Sequence, residues 1–243
     1  AITRRSFRAT FMDKGRVSEL IVFPLSFLII WGFFFASDIV EREVAAQLLI
    51  VNLIWSVSGT FQTQANLTMM FDLWAREFST ILRQGVRIGE MVLSHLIFST
   101  VLGILNLGIF IFFIIYGFGG GKNETGLFIE LFPLYYLSSV GLAALFGGIV
   151  MYLGRTYAFI AWTGLQILIM ISSPFAPLST LPTWLKTIVH ISPFTYIFEY
   201  VRFQRAEDYQ MGLIAALLCL ILGCISAVMF YKLRRARQGL MEV

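Results

Sequence analysis

The sequence predicts an all-α membrane protein, and its composition and the lengths of its apolar stretches carry this prediction. Of 243 residues, 58% are hydrophobic and 13% are charged, and the mean hydropathy is +0.81. A soluble domain exposes too much surface to tolerate this balance, whereas a lipid-facing protein requires it. Six stretches approach the roughly 20 apolar residues that a spanning helix needs. They leave no room for a soluble domain, so residues 1–243 are expected to form one transmembrane domain.

The six predicted transmembrane helices cover residues 20–36, 45–64, 92–118, 127–153, 157–177 and 211–231. Lysine and arginine set the orientation, because cytoplasmic loops are enriched in both. With the N-terminus inside, 13 basic residues fall on the inner side and 5 on the outer side. The inner residues are Arg4, Arg5, Arg8, Lys14, Arg16, Arg76, Arg83, Arg87, Arg155, Lys232, Arg234, Arg235 and Arg237. The outer residues are Arg42, Lys122, Lys186, Arg202 and Arg205.

This split predicts a multi-pass protein of the cytoplasmic (inner) membrane with both termini in the cytosol. It also accounts for the net charge of +4. No nucleic-acid partner is therefore expected, and the predicted partners at the surface are membrane lipids.

A basic amphipathic helix is expected before the first span, over residues 3–14. Phe7 and Phe11 are four residues apart and share one helical face. Its first basic residues, which can reach lipid phosphates, are Arg4, Arg5 and Arg8. Gly15 is expected to end this interface helix. A disordered basic tail is the alternative.

A second amphipathic helix is predicted on the cytosolic side between spans two and three, within residues 72–87. Its apolar face is formed by positions i, i+4, i+7 and i+8, which are Trp74, Phe78, Ile81 and Leu82. Polar residues that include Glu77 and Arg83 form the other side. Two interpretations remain open: the helix rests on lipid headgroups, or it docks a cytosolic partner.

The stretch LPTWLKTIVHISPFTYIFEYVR, residues 181–202, suits neither a spanning helix nor an ordinary loop. Pro182 and Pro193 favour helix starts, because proline is well tolerated at the first helical position. The apolar runs that follow, which begin at Trp184 and Phe194, each have about half of the spanning length. The sequence therefore predicts an outer re-entrant helical hairpin within residues 178–209.

Two further patterns leave alternatives open. Glu199, Arg202 and Arg205 are spaced by three, so they either pair with one another or form a solvated helix end. Small residues that recur on helical faces let backbones approach closely, either within the chain or against a second copy. These small residues are Ala143, Ala144, Gly147, Gly148, Gly223 and Ala227.

Six spans, a basic amphipathic N-terminus, the helix after span two and SPFTYIFEYVR before span six together resemble type-2 ABC exporter permeases. This family includes polysaccharide, teichoic-acid, nodulation-factor and drug exporters. The sharpest part of the resemblance is the Pro-aromatic-Tyr…Arg signature, carried here by Pro193, Phe194, Tyr196 and Arg202. The resemblance implies that residues 72–87 couple to an ATPase, that residues 3–14 lie near it, and that the hairpin forms the outer gate.

The resemblance further implies a transport subunit that is not itself an enzyme and carries no cofactor. ATP and Mg²⁺ would bind two separate ABC ATPase subunits, and a second permease copy would complete a homodimer. The stretch GFGGGKNETG is no nucleotide site, because Tyr116 and Asn123 stand where a phosphate loop has Gly and Ser or Thr.

The substrate implied is amphiphilic or lipid-linked, with a glycan or glycolipid favoured. A drug or lipid efflux permease of the same family is the alternative. An ion-coupled secondary transporter is disfavoured, because the span centres are almost free of charged residues. The sequence contains no motif that predicts a membrane enzyme.

Overall fold

The computed structural model describes residues 2–37, 39–74, 88–119 and 122–237, and all regular structure in these ranges is helical. The first half of the chain forms α1 (Ile2–Met12), α2 (Lys14–Ala36), α3 (Arg42–Trp74) and α4 (Ile88–Phe112), and α4 continues as a π-helix over Phe113–Gly117. The second half forms α5 (Lys122–Glu130), α6 (Phe132–Leu153), α7 (Phe159–Ile171), α8 (Thr183–Val189), α9 (Pro193–Phe203) and α10 (Ala206–Arg237). Two 3₁₀ turns precede α7 and α8, and they cover Arg155–Tyr157 and Leu178–Thr180, respectively.

Within the described ranges, five helices are long and apolar enough to cross a membrane. They are α2, α3, α4 with its π-helical extension, α6 and α10. Helix α7 is apolar but has 13 residues, which corresponds to about 20 Å against a hydrocarbon layer of about 30 Å. The predicted all-α membrane class is confirmed, whereas the count of six full spans stays a prediction.

The fifth predicted span, residues 157–177, is shorter in the structure. Helix α7 ends at Ile171, and Ser173 then adopts a left-handed backbone conformation with φ of 57°. Pro174 follows directly, and a residue that precedes proline is disfavoured in the α region. Hydropathy alone extends the span, whereas the backbone chemistry of Ser173 and Pro174 ends it.

A helix is present before the first span, but it ends before the expected boundary, and its place at the membrane interface stays a prediction. Helix α1 stops at Met12, and the Asp13 carboxylate accepts hydrogen bonds from the backbone N–H groups of Gly15 (2.9 Å) and Arg16 (3.4 Å). Asp13 is therefore the N-cap of α2. The prediction that Gly15 ends the first helix is wrong, because Gly15 lies in the first turn of α2.

Two other predicted boundaries are corrected. The fourth predicted span began at residue 127, but residues 127–130 belong to α5, and α6 starts at Phe132 with Pro133 in its first turn. The predicted hairpin extended to residue 209, but α9 ends at Phe203 and Gln204 has a left-handed φ of 48°. Glu207 and Asp208 lie in the first turn of α10, where the helix dipole favours acidic residues.

Helix α6 lies at the centre of the bundle and packs closely against α10. A Cβ atom built on Gly141 would lie 2.7 Å from the carbonyl carbon of Cys219, and one on Gly148 would lie 2.8 Å from the Cα of Ala227. Such distances require glycine, so the backbones of α6 and α10 touch along this line. The stripe that contains Gly148, Gly223 and Ala227 is therefore used within one chain.

Candidate functional site

Helix α3 carries an unusual density of polar side chains for a spanning helix. Between residues 52 and 68 it contains nine amide and hydroxyl side chains, which are Asn52, Ser56, Ser58, Thr60, Gln62, Thr63, Gln64, Asn66 and Thr68. Most of them are buried in the bundle. Polar groups away from water are costly unless they are hydrogen-bonded, so their partners indicate how α3 is held.

Hydrogen bonds connect α3 to two neighbouring helices. The amide of Asn106 on α4 donates to the Thr60 hydroxyl at 2.9 Å. The Gln62 amide donates to the carbonyl oxygen of Ala161 on α7 at 2.6 Å. The indole N–H of Trp55 donates to the side-chain oxygen of Gln166, also on α7. These bonds fix the positions of α4 and α7 against the polar side of α3.

A groove of about 450 Å³ lies between α2, α3 and α7. Its lining residues are Leu20, Pro24, Phe27, Asn52, Trp55, Ser56, Gly59, Thr60, Thr63, Gln64, Trp162 and Gln166. None of these lining residues, which all belong to the described part of the chain, is charged. One wall presents amide and hydroxyl groups, and the indole rings of Trp55 and Trp162 provide flat apolar faces. The groove is therefore suited to a neutral ligand with many hydroxyl groups, since it offers both hydrogen bonds and ring faces for stacking.

Sequence reasoning did not identify this groove. The signal that could have found it is the run of amide and hydroxyl residues in the second predicted span, because polar groups inside a membrane mark packing contacts or substrate pathways. The contribution of α7 could not be found in this way, because Trp55 and Gln166 are 111 positions apart in the chain.

The predicted interface-helix residues divide between packing and exposure. Phe7 packs edge-on against Phe98 of α4, with ring centroids 4.8 Å apart, and stacks on Phe11 at 6.1 Å. Arg4, Arg8 and Phe11 are exposed, and Arg5 is half-buried. Helix α1 is thus anchored to α4 and presents a basic and apolar outer face. Its location near an ATPase remains a prediction.

The predicted coupling residues fall at the edge of the described part of the chain. Trp74 is the last residue of α3, and Glu77, Phe78, Ile81, Leu82 and Arg83 lie outside the described residues. Helix α3 has 33 residues and a length of about 50 Å. The role of residues 72–87 therefore stays a prediction.

Two short helices occupy the predicted hairpin, and its prolines lie at helix starts. Pro193 is the first residue of α9, and the Ser192 hydroxyl caps this helix by accepting from the Phe194 N–H at 3.3 Å. Pro182 directly precedes α8. Phe194 is buried, Tyr196 is half-buried, and Pro182 and Trp184 are exposed. The depth of the hairpin in the membrane and its gating role stay predictions.

Glu199 and Arg202 of α9 form an ion pair at 3.0 Å, with 7% of each side chain exposed. The expectation that they pair is confirmed, and the solvated-end interpretation is wrong for these two residues. Arg205 lies over the ring of Phe203, with 4.5 Å between its guanidinium carbon and the ring centroid. Burial lowers the pKa of Arg202, and the Glu199 carboxylate opposes that shift.

A side-chain hydrogen bond holds α9 against α5. The Tyr200 hydroxyl donates to a carboxylate oxygen of Glu130 at 2.6 Å, and this hydrogen bond raises the pKa of Tyr200 to about 12. The end of the bundle where α8 and α9 lie is called the hairpin end below. The end where α1 packs on α4 is called the α1 end.

The long apolar helices define a multi-pass integral membrane protein, and a polar groove lies between three of its helices. The comparison with protein families identifies it further: the model of the ABC-2 type transporter family matches residues 1–204. A search of curated proteins found no match to this chain. The chain belongs to the ABC-2 type transporter family.

Membership makes this chain the transmembrane subunit of an ABC transporter, a transport protein that works with an ABC ATPase. The match covers α1 to α9 and ends at Gln204, so the signature residues Pro193 to Arg202 lie inside it. Helix α10 follows the matched region and packs on α6.

Proposed function

We propose that this permease exports an amphiphilic or lipid-linked glycan across the cytoplasmic membrane, and that the groove between α2, α3 and α7 binds the glycan. The amide and hydroxyl groups of the described groove lining, together with its two tryptophans, are the observation that supports this proposal. Sugars present hydroxyl groups at their edges and C–H groups on their faces. The amides and hydroxyls of α3 match the former, and the rings of Trp55 and Trp162 match the latter.

The chemistry of the described groove lining, which consists of uncharged side chains, argues against the rival functions. Ion-coupled transporters place ionisable groups near the middle of the membrane to bind the coupling ion. The lining residues of this groove offer amide, hydroxyl and ring groups instead. A lipophilic cation would similarly favour a carboxylate, so a cationic drug is a poorer fit than a neutral glycan.

In this proposal the energy comes from ATP and Mg²⁺ bound to two ABC ATPase subunits on the cytosolic side. A second copy of the chain completes a homodimer, and membrane lipids surround both copies. The excess of basic residues in the segments predicted to lie inside, 13 against 5, supports an orientation with both termini in the cytosol. The hairpin end then faces the outside.

The test replaces each groove tryptophan in the purified permease–ATPase complex, reconstituted in lipid. A polyprenyl-diphosphate-linked oligosaccharide is titrated, and its stimulation of ATP hydrolysis is measured. Trp55→Ala or Trp162→Ala removes a stacking face, and loss of such an anchor costs on the order of 1–4 kcal/mol. We expect the half-maximal glycan concentration to rise by about tenfold or more, since about 1.4 kcal/mol corresponds to a factor of ten.

The matched control is Phe159→Ala. Phe159 is an exposed aromatic residue on α7, the helix that carries Trp162, and it does not line the groove. This control should titrate like the parent complex. Stimulation by a lipophilic cationic dye but not by the oligosaccharide would contradict the glycan assignment and favour the drug-efflux alternative.

A further inference from the structure

Residues 173–178, which follow α7, form a turn whose backbone is constrained by two prolines and a hydrogen bond. The rings of Pro174 and Pro177 restrict the backbone φ angles of these two residues. Ser173 has a left-handed φ of 57°. The Ser173 hydroxyl donates to the carbonyl oxygen of Ala176 at 2.5 Å, which closes the turn. Its tip presents Phe175, which is 53% exposed.

Phe175 packs on two tryptophans at the hairpin end of the groove. Its ring stacks on Trp31 of α2 with centroids 6.2 Å apart and contacts Trp55 of α3 at 6.3 Å. Trp55 lines the groove, and Trp31 lies one turn beyond Phe27, which also lines it. The three rings therefore lie together next to this end of the groove, between α2 and α3.

The buried ion pair on α9 holds both ends of the same turn. Arg202 donates to the carbonyl oxygen of Ser173 at 2.6 Å, and Glu199 accepts from the backbone N–H of Leu178 at 3.0 Å. The Ser172 hydroxyl also donates to that of Ser192, the N-cap of α9, at 2.7 Å. Helix α9 thus fixes where the turn and its Phe175 side chain lie.

From these contacts we infer that Phe175 is the gate of the groove at the hairpin end, and that Glu199 and Arg202 are positioning residues that keep it closed. This inference rests on the proposed transport function of the groove but not on the identity of the substrate. Movement of α9 would withdraw the turn and separate Phe175 from Trp31 and Trp55. The hairpin thereby controls the groove without lining it.

The experiment measures access to the groove without substrate or ATPase. A cysteine replaces Ser56, which lines the groove next to Trp55, in the full-length chain with Cys219→Ser and Cys224→Ser. The permease is reconstituted in vesicles and labelled with a membrane-impermeant maleimide from the hairpin side. A second chain with Asn123→Cys identifies that side, because Asn123 is exposed at the start of α5.

We expect slow labelling of position 56 in the parent and labelling about tenfold faster with Phe175→Ala, since an open minor state of a few per cent becomes the main state. Arg202→Gln should accelerate labelling similarly, although Phe175 is still present. Ile191→Ala, which changes an exposed apolar residue of the hairpin outside these contacts, should label like the parent. Thermal unfolding of each variant is measured in parallel, and Phe175→Ala tests the gate with the ion pair intact.

Exchange of the two charges separates anchoring from simple charge pairing. Glu199→Arg with Arg202→Glu preserves opposite charges, but it places a donor against the Leu178 N–H and an acceptor against the Ser173 carbonyl. We expect this double variant to label as fast as Arg202→Gln.

Parent-like labelling of the exchanged variant would overturn the anchoring role, and parent-like labelling with Phe175→Ala would overturn the gate. A failed glycan titration alongside the expected labelling would reject the glycan and keep the gate.

Discussion

At the scale of single residues, Arg202 and Arg205 show how burial changes the value of the same side chain. They are three positions apart on the same segment. Arg202 pairs with Glu199 and bonds to the Ser173 carbonyl in a buried setting, whereas Arg205 is exposed over the ring of Phe203. Sequence spacing treats the two arginines alike. The distinction depends on the turn 173–178, which is 24 or more positions away from both and invisible to local periodicity.

The stability of the folded permease should register this difference. Arg202→Met leaves the Glu199 carboxylate buried without its cation, and breaking a buried pair in this way costs about 3–5 kcal/mol. Arg205→Met, the matched control, should change the free energy of unfolding by about 0.5 kcal/mol or less. Denaturation in mixed micelles measures both. Equal losses for the two variants would show that Arg202 is not held by its buried partners.

At the scale of helices, local chemistry predicted those elements whose limits are set by neighbouring residues. The start of α9 followed from Ser192 and Pro193, and α1 followed from the spacing of its phenylalanines. The end of α7 was mispredicted, because hydropathy was given more weight than Pro174. The predicted spans were several residues shorter than α2, α3 and α10. The helices continue beyond their apolar segments where polar residues such as the N-cap Asp13 permit it.

Close packing of α6 on α10 makes a prediction about two glycines. Gly141→Ala introduces a Cβ 2.7 Å from the backbone of Cys219, which a side-chain rotation cannot relieve. We expect destabilisation of about 1–3 kcal/mol, typical of overpacking. Gly108→Ala on α4 meets no atom within 4 Å and should stabilise slightly, since alanine favours helix over glycine by about 1 kcal/mol.

Thermal unfolding in one detergent compares the two substitutions directly. Because both positions are glycines in spanning helices, differences in helix propensity cancel. A similar stability for the two alanine variants would mean that α6 and α10 can separate without cost, and the description of their shared backbone contact would be wrong.

At the scale of the whole molecule, the fold class and family were accessible from the sequence, whereas the groove and the role proposed for Phe175 were not. Composition, helix length and a near-C-terminal signature are properties of contiguous segments. The groove depends on α2, α3 and α7 meeting, and the proposed gate depends on the contacts of Phe175 with Trp31 and Trp55. Hydropathy contains no information about which helical faces meet, so such sites emerge only from the packed bundle.

The length of α3 bears on how this bundle connects to its ATPase. Its 33 residues extend about 50 Å, about 20 Å more than the hydrocarbon layer, so its ends project from the membrane. At the α1 end it leads directly into residues 75–87. For these residues the sequence predicts an amphipathic helix with Phe78 and Ile81 on its apolar face, and docking of a cytosolic partner on that face stays a prediction. The ATPase is the partner that family membership implies.

Phe78→Ala combined with Ile81→Ala should therefore weaken capture of the ATPase while the permease stays inserted and folded. Loss of two apolar anchors costs on the order of 1–4 kcal/mol each, so the dissociation constant should rise by about tenfold or more. Co-elution of the purified complex and substrate-stimulated ATP hydrolysis measure this loss. The control, Ile115→Ala with Tyr116→Ala, removes two exposed apolar residues at the hairpin end and should leave capture unchanged. Normal capture and stimulation by the Phe78/Ile81 variant would show that this helix rests on lipid headgroups, and α1 would become the next segment to test.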